Sequence, residues 1–340
     1  MQGHGRRELR HPDRQATQGL TLRRDGRSPW AFWLIAAVVV TATACAADSG
    51  SPSPVQRTIS ALSDGVVLRA VATTTLVGDV VRAVAGDNIE LRVLAPLGAD
   101  PHTYEPTPKD VAAVADADLV FVNGAGLELF LEPLLRNAGG DAEVVVLSEG
   151  ITLRKLENEH AGEEGGLDPH VWFDPSNVVV WTRNVEQTLI RLDPANRETY
   201  AARAQAYQTE LATLDTWIQE QVGQIAEVDR GLVADHDALG YFADRYGFRI
   251  VGSVIAGFST LAEPSAQELA KLQNAVRDTG VKAIFVGSTA SPSLSQRVAE
   301  DAGVAVRFLY TGSLSLADGP ATTYLEFMRY NVTQIVEALK

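Results

Sequence analysis

Cysteine is almost absent from this sequence, which has a single one among 340 residues, at position 45. One thiol excludes an internal disulfide framework and any metal site built from several cysteines. The motif His-Glu-x-x-His, which combines zinc ligands with a general base, is also missing. Basic residues are the minority, with 29 Lys and Arg against 43 Asp and Glu, and the net charge of −14 argues against nucleic acid as a partner. A hydrophobic content of 46% still permits a sizeable core.

Residues 1–44 have the composition of a secretory signal. They carry seven arginines and three acidic residues, then an apolar run from Trp30 to Val40 and small residues before Cys45. The run is short for a membrane span of about 20 residues, although a plain transmembrane anchor is the alternative. Removing seven positive and three negative charges moves the net charge from −14 to −18. A cationic ligand is compatible with that charge.

The residues before Cys45 resemble the lipobox of bacterial lipoproteins, with Ala42 where that pattern prefers Leu. The resemblance implies cleavage before Cys45 and acylation of the protein there, with palmitate among the expected chains. It therefore implies an extracytoplasmic protein that is lipid-anchored to the cell membrane. A free surface cysteine is the alternative. Residues 45–65, rich in Ser and Pro, are interpreted as a flexible tether.

Short segments rich in branched residues alternate with helical segments along the rest of the chain. Continuous apolar strands that alternate with helices favour mostly parallel, covered sheets. Thr107 and Pro108 supply an N-cap and a proline at the first helical position. The predicted strands are 66–72, 89–95, 118–123, 143–147, 231–235, 250–254, 282–286 and 304–309, and helices are predicted at 76–84, 108–115 and 127–135.

Residues 193–227 separate the two sets of strands and predict one long helix. Asp193 and Pro194 supply its start, and apolar or aromatic residues recur at four-three spacing from Tyr200 onward. A helix of about 30 residues extends roughly 45 Å, which is longer than a small domain is wide. It is either a coiled-coil arm or a rod between two lobes. Because the alternation resumes after it, we predict two α/β lobes, 66–192 and 228–340, joined by this helix.

Three of the four histidines beyond residue 44 lie in turns or at strand ends, and each follows an Asp within two residues. In open α/β sheets, such βα connections gather ligands. Three imidazoles with a fourth position for water or a carboxylate suit zinc, and a neighbouring carboxylate would fix each tautomer. The alternative for each residue is a hydrogen-bonded structural histidine. The pairs are Asp100 with His102, Asp168 with His170, and Asp235 with His236.

The fourth histidine, His160, lies in the acidic loop 157–166, whose sequence is ENEHAGEEGG. A stretch with several acids, glycines and no apolar period predicts a solvated linker. Weak collection of zinc by this loop is the alternative.

Four ordered motifs resemble the metal-binding solute-binding proteins of zinc and manganese ABC importers. They are PLGADPHTYEPTP at 96–108, LDPHVWFDP at 167–175, ADHDALGYFADRYG at 234–247 and AEPS at 262–265. The resemblance covers residues 69–340 and implies two α/β lobes joined by a rigid helix, with the metal in the cleft between them. By motif match, His102, His170 and His236 are the first three ligands.

Two positions bear on which ion the resemblance implies. Gly312 stands where the family often has an Asp ligand, so the fourth ligand is expected to be water or an unplaced carboxylate such as Asp318. Members that favour manganese tend to have a carboxylate as the third ligand, whereas His236 favours Zn²⁺ over Mn²⁺. The resemblance further implies a monomeric receptor, not an enzyme, that delivers the ion to a permease and its ATPase. A manganese receptor, a zinc hydrolase and a zinc-dependent adhesin are the alternatives.

Overall fold

The computed structural model describes residues 67–155, 166–261, 263–289 and 292–340. The predicted signal, the tether with Cys45, and the acidic loop with His160 lie outside the described residues, apart from Gly166 at the end of that loop. Within the described ranges, no helix is both long enough and apolar enough to cross a membrane.

The first lobe is built on a parallel sheet of four strands in the order β2-β1-β3-β4. The inner strand β3 is buried along its whole length, as expected for a parallel strand covered on both faces. The predicted cap at Thr107 begins a helix, where Asp110 completes a capping box. The elements are β1 (Leu68–Ala72), α1 (Thr75–Ala85), β2 (Ile89–Val93), α2 (Pro108–Ala115), β3 (Leu119–Val122), α3 (Leu131–Ala138) and β4 (Glu143–Val146).

The second lobe repeats this architecture, with a parallel sheet in the order β6-β5-β7-β8. Its inner strands β5 and β7 are fully buried. The two sheets confirm the predicted pair of α/β lobes. The elements are β5 (Gly231–Ala234), α6 (Gly240–Tyr246), β6 (Arg249–Ser253), α7 (Ala266–Thr279), β7 (Ala283–Gly287), α8 (Ser293–Ala302) and β8 (Ala305–Leu309).

A long helix, α5 (Arg197–Val222), joins the lobes as predicted, and it is shorter than the stretch 193–227. Its first residues form a separate 3-10 turn at Pro194–Asn196, and its last turn stops before Gly223. The predicted apolar stripe is buried, so this helix packs against its neighbours and is not a free coiled-coil arm. The buried residues are Tyr200, Ala204, Tyr207, Leu211, Leu214, Ile218 and Val222.

The helix that packs most extensively on α5 is α4 (Pro175–Leu192), which our sequence analysis did not predict. Three successive valines at 178–180 favour a strand by propensity alone. The local start signal is nevertheless clear, because Asp174 accepts the Ser176 N–H at 2.8 Å and Pro175 occupies the first helical position. Burial of one face of this segment against α5 then favours a helix over a strand.

The chain returns to the first lobe after β8. Leu314 N–H donates to Thr75 Oγ1 at 3.0 Å, and Tyr324 N–H donates to Asp79 Oδ2 at 2.8 Å. The final helix, α9 (Tyr324–Leu339), then packs against α5 and α1. The chain therefore crosses between the lobes through α5 and again through the segment 310–323.

Candidate metal centre

The three histidines singled out from the sequence meet at one point. Within the described residues, their ring nitrogens form one group in which all candidate ligand atoms lie within 4.8 Å of one another. His102 Nε2 is 3.1 Å from His170 Nε2, and His236 Nε2 is 3.3 Å from the same atom. His102 belongs to the β2–α2 loop, His170 precedes α4, and His236 follows β5. Two of them belong to the first lobe and one to the second.

Two of the rings are oriented by the aspartates that the sequence placed beside them. His170 Nδ1 lies 2.9 Å from Asp168 Oδ1, and His236 Nδ1 lies 2.9 Å from Asp235 Oδ1. A carboxylate on Nδ1 keeps the proton there and leaves Nε2 with a free lone pair. Asp235 is itself held by Gly287 N–H, which donates to its second oxygen at 2.8 Å. The Nε2 atoms of these two imidazoles therefore face the centre, and each can donate its lone pair to a metal when its ring is neutral.

Arg154, which the sequence analysis missed, supports one of these aspartates. Its Nη1 donates to Asp168 Oδ2 at 2.9 Å, and its Nε donates to Asp244 Oδ2 on α6 at 2.6 Å. The side chain of Asp168 is fully buried, so this positive charge offsets the cost of burying the carboxylate. A Cβ at Gly240 would overlap the guanidinium, which accounts for glycine at that position. Arg154 thus joins the support of His170 to the second lobe.

His102 is held differently. Asp100 Oδ1 accepts its backbone N–H at 3.0 Å, but among the described residues nothing is hydrogen-bonded to His102 Nδ1. The ring is also partly exposed, whereas His170 and His236 are 1% and 2% exposed. The second oxygen of Asp100 accepts a hydrogen bond from Thr260 Oγ1 of the second lobe at 2.6 Å. The neighbouring aspartate therefore orients the backbone of His102 and not its ring.

The electrostatics of the site favour neutral imidazoles at two of the three positions. Burial, and then the charges of His170 and His236, lower the pKa of His102 to about 3. Burial and the charge of His236 also lower the pKa of His170. Burial alone would lower the pKa of His236, but the charge and hydrogen bond of Asp235 raise it above its ordinary value. His102 and His170 are therefore unprotonated at neutral pH.

Among the described residues, no carboxylate oxygen belongs to the group formed by the three histidine nitrogens. A Cβ at Gly312 would lie 2.6 Å from Pro101 Cδ, so the proline of the first Asp-Pro-His turn occupies the space that a side chain would need. Asp318 is exposed and is not part of the cluster. The described protein therefore offers three nitrogen donors at this point.

Other residues near the site have structural roles. Trp172 and Phe173 are each 1% exposed and belong to the core. Tyr104 donates to Asp110 Oδ2 at 2.8 Å beside the capping box, and Asp174 caps α4. Nothing in the local sequence signalled Arg154 or Thr260, because each reaches its aspartate through the tertiary fold.

Two α/β lobes joined by a long helix, with converging imidazoles contributed by both lobes, define a metal-binding receptor. The chain belongs to the family described as zinc-uptake complex component A, periplasmic, which matches residues 70–338. It is a substrate-binding protein of a metal ABC transporter and is not an enzyme.

Named relatives cover most of the chain. It is 34% identical to the manganese-binding lipoprotein MntA of Halalkalibacterium halodurans, over 90% of this chain and 97% of that protein. It is 31% identical to the iron ABC transporter substrate-binding lipoprotein MtsA of Streptococcus pyogenes, over 80% of this chain and 89% of that protein. Among solved structures, the periplasmic zinc-binding protein TroA of Treponema pallidum matches with a TM-score of 0.73 and 30% identity, over 79% of this chain and 98% of that one.

Proposed function

We propose that this protein is an extracytoplasmic receptor that binds one zinc ion at His102, His170 and His236 and hands it to an ABC importer. The observation that carries the proposal is the spacing of the nitrogens. Zinc–nitrogen bonds of about 2.0–2.1 Å at tetrahedral angles separate two ligand nitrogens by about 3.3 Å. In the structure, His170 Nε2 lies 3.1 Å from His102 Nε2 and 3.3 Å from His236 Nε2. One ion therefore fits among the rings with little movement of His170.

The choice of zinc rests on the kind of donor. Three imidazole nitrogens with no described carboxylate suit zinc, whereas manganese prefers more oxygen ligands. Water would complete the tetrahedron. Relatives are named for manganese, iron and zinc, so kinship alone supports a divalent cation without selecting one. A manganese receptor of the same type is the competing proposal, and a zinc-dependent adhesin would use the same ligands for stability alone.

A metal titration tests the ion. Metal-free protein titrated calorimetrically with zinc and with manganese should bind one zinc per chain and bind manganese more weakly. Equal or tighter binding of manganese would reject the zinc assignment. Zinc uptake by cells that lack the gene should be restored by the parent protein and not by His170→Ala. This second result separates delivery to a permease and its ATPase from an adhesin role.

We further propose that Cys45 carries the lipid that holds the receptor at the membrane. The lipobox-like residues before it and the lipoprotein names of relatives support this attachment. A single acyl chain binds membranes only marginally, so several chains are expected on the mature protein. Cys45→Ala should move the protein from the membrane fraction to the soluble fraction. Retention in the membrane fraction would indicate a different anchor.

A further inference from the structure

A loop of the second lobe, residues 255–261, reaches the first lobe beside the metal centre. Thr260 Oγ1 donates to Asp100 Oδ2 at 2.6 Å, across 160 residues of sequence. The ring centre of Phe258, in the same loop, lies 6.4 Å from that of His170. The loop therefore contacts the surroundings of both first-lobe histidines without contributing a metal ligand.

The same loop is tied to the third histidine through the chain. Asp237, the residue after His236, makes two hydrogen bonds with Gly257: its N–H donates to Gly257 O at 2.9 Å, and its carboxylate accepts Gly257 N–H at 3.1 Å. Gly257 has a φ of 138°, a conformation that favours glycine. A continuous path thus runs from His236 through Asp237 and Gly257 to Thr260 and ends at Asp100, two residues before His102.

His102 depends on this path more than the other two ligands do. Asp168 and Asp235 hold their histidines directly at the ring. Asp100 holds only the backbone of His102, and its remaining oxygen is bound by Thr260. Loss of the Thr260 hydroxyl would free that side of the Asp100 carboxylate and leave the loop that carries His102 without this link to the second lobe.

We propose that Thr260 is a positioning residue that keeps His102 on the metal and so sets the rate at which the ion leaves. The proposal rests on the proposed function, since it assumes that the three histidines bind the ion. With the hydroxyl removed, His170 and His236 still capture zinc, so association changes little. His102 detaches more often, and the ion leaves from two ligands. A hydrogen bond to a charged acceptor has enough free energy to change the dissociation rate about tenfold.

The test compares variants of the zinc-loaded protein. Thr260→Val removes the hydroxyl at nearly constant volume, Thr260→Ala does so with less bulk, and Thr260→Ser restores the donor. Ser259→Ala is the matched control, because among the described residues that hydroxyl accepts only the Leu261 N–H, at 3.2 Å and within the same loop. Zinc release into excess chelator is followed by stopped flow, and zinc capture is measured separately in metal-free protein.

The Val and Ala variants should release zinc about tenfold faster with nearly unchanged capture, while the Ser variant and Ser259→Ala should behave like the parent. Parent-like release by the Val and Ala variants would overturn the inference. So would equal acceleration by Ser259→Ala, because that result would reflect general loosening of the loop. If the parent binds no zinc, or if His170→Ala binds zinc as tightly as the parent, the proposed function itself fails. Failure of the Thr260 proposal and failure of the proposed zinc site therefore give different results.

Discussion

Two Asp-Pro-His turns, residues 100–102 and 168–170, have the same three residues and hold their histidines in different ways. In each turn an Asp oxygen accepts the histidine N–H at 3.0 Å. In the second turn that oxygen also contacts the ring, and Arg154 holds the other oxygen in a buried environment. In the first turn the ring is partly exposed, and Thr260 holds the other oxygen. One tripeptide therefore holds the histidine at its ring and backbone in one place and at its backbone alone in the other.

Replacing each histidine by alanine in turn should change zinc affinity most and should separate the two turns most clearly. His170 Nε2 is close to both other Nε2 atoms, so His170→Ala should weaken zinc binding by more than about 100-fold, beyond the usual effect of losing a residue that only supports a ligand. His102→Ala should retain more affinity, because the two histidines held at their rings remain. His236→Ala removes the second-lobe ligand and should abolish most of the rise in melting temperature that zinc produces.

Differential scanning fluorimetry over a range of zinc concentrations measures these effects. Ser259→Ala supplies a control outside the cluster. A zinc-induced shift in His170→Ala or His236→Ala that matches the parent's would place the metal elsewhere.

Replacing Asp168 and Asp100 by asparagine should show the same difference between the two turns through their effects on zinc affinity. Asp168→Asn disturbs both the His170 ring and Arg154, and losses of about 10- to 100-fold are typical for such supporting carboxylates. Asp100→Asn does not touch a ring, and its amide oxygen can still accept one hydrogen bond, so the loss should be smaller. Competition with a chelator of known affinity measures both constants. A larger loss in Asp100→Asn than in Asp168→Asn would contradict the assigned roles.

The pH dependence should reveal a single competing proton. A protonated imidazole has no lone pair for zinc. The pKa of His102 is about 3 and that of His170 is also lowered, whereas the pKa of His236 is raised. Below the pKa of His236, the apparent affinity should therefore fall about tenfold per pH unit, with one proton released per zinc bound.

Calorimetric titration of the protein with zinc, in buffers of different ionisation enthalpy, gives the number of protons released per zinc bound. Zinc binding measured between about pH 6.5 and pH 6 gives the slope, because burial raises the pKa of Asp168 beside His170 to about 6 and that carboxyl gains a proton at lower pH. Release of two or three protons would show that the other rings are also charged before the ion arrives.

The smallest effect is expected at Gly312. A methyl group there would lie 2.6 Å from Pro101 Cδ and must displace the first turn. Gly312→Ala should therefore weaken zinc binding a few-fold through His102, while the second turn keeps its geometry. Titration of the metal-free variant measures this change. Tighter binding than in the parent would contradict the close packing of Pro101 on Gly312.

The sequence predicted the converging histidines more fully than the residues that hold them in place. Eight strands, the buried stripe of α5 and three Asp–His neighbours were predictable, because periodicity and turn chemistry are local. Helix α4 was missed because its valine run favours a strand by propensity, and packing on α5 overrides that preference. Arg154 and Thr260 had no local signal, since their partners lie 14 and 160 residues away in the chain. The tether, the acidic loop and Cys45 remain predictions.

X-ray absorption spectroscopy of the zinc-loaded protein tests the central claim most directly. Zinc held by His102, His170 and His236 should show three imidazole nitrogens at about 2.0–2.1 Å with one additional light atom. The Thr260→Val protein, frozen while loaded, should give the same first shell, because Thr260 is not a ligand. Fewer than three imidazoles in the parent, or a shell dominated by carboxylate oxygens, would contradict the account.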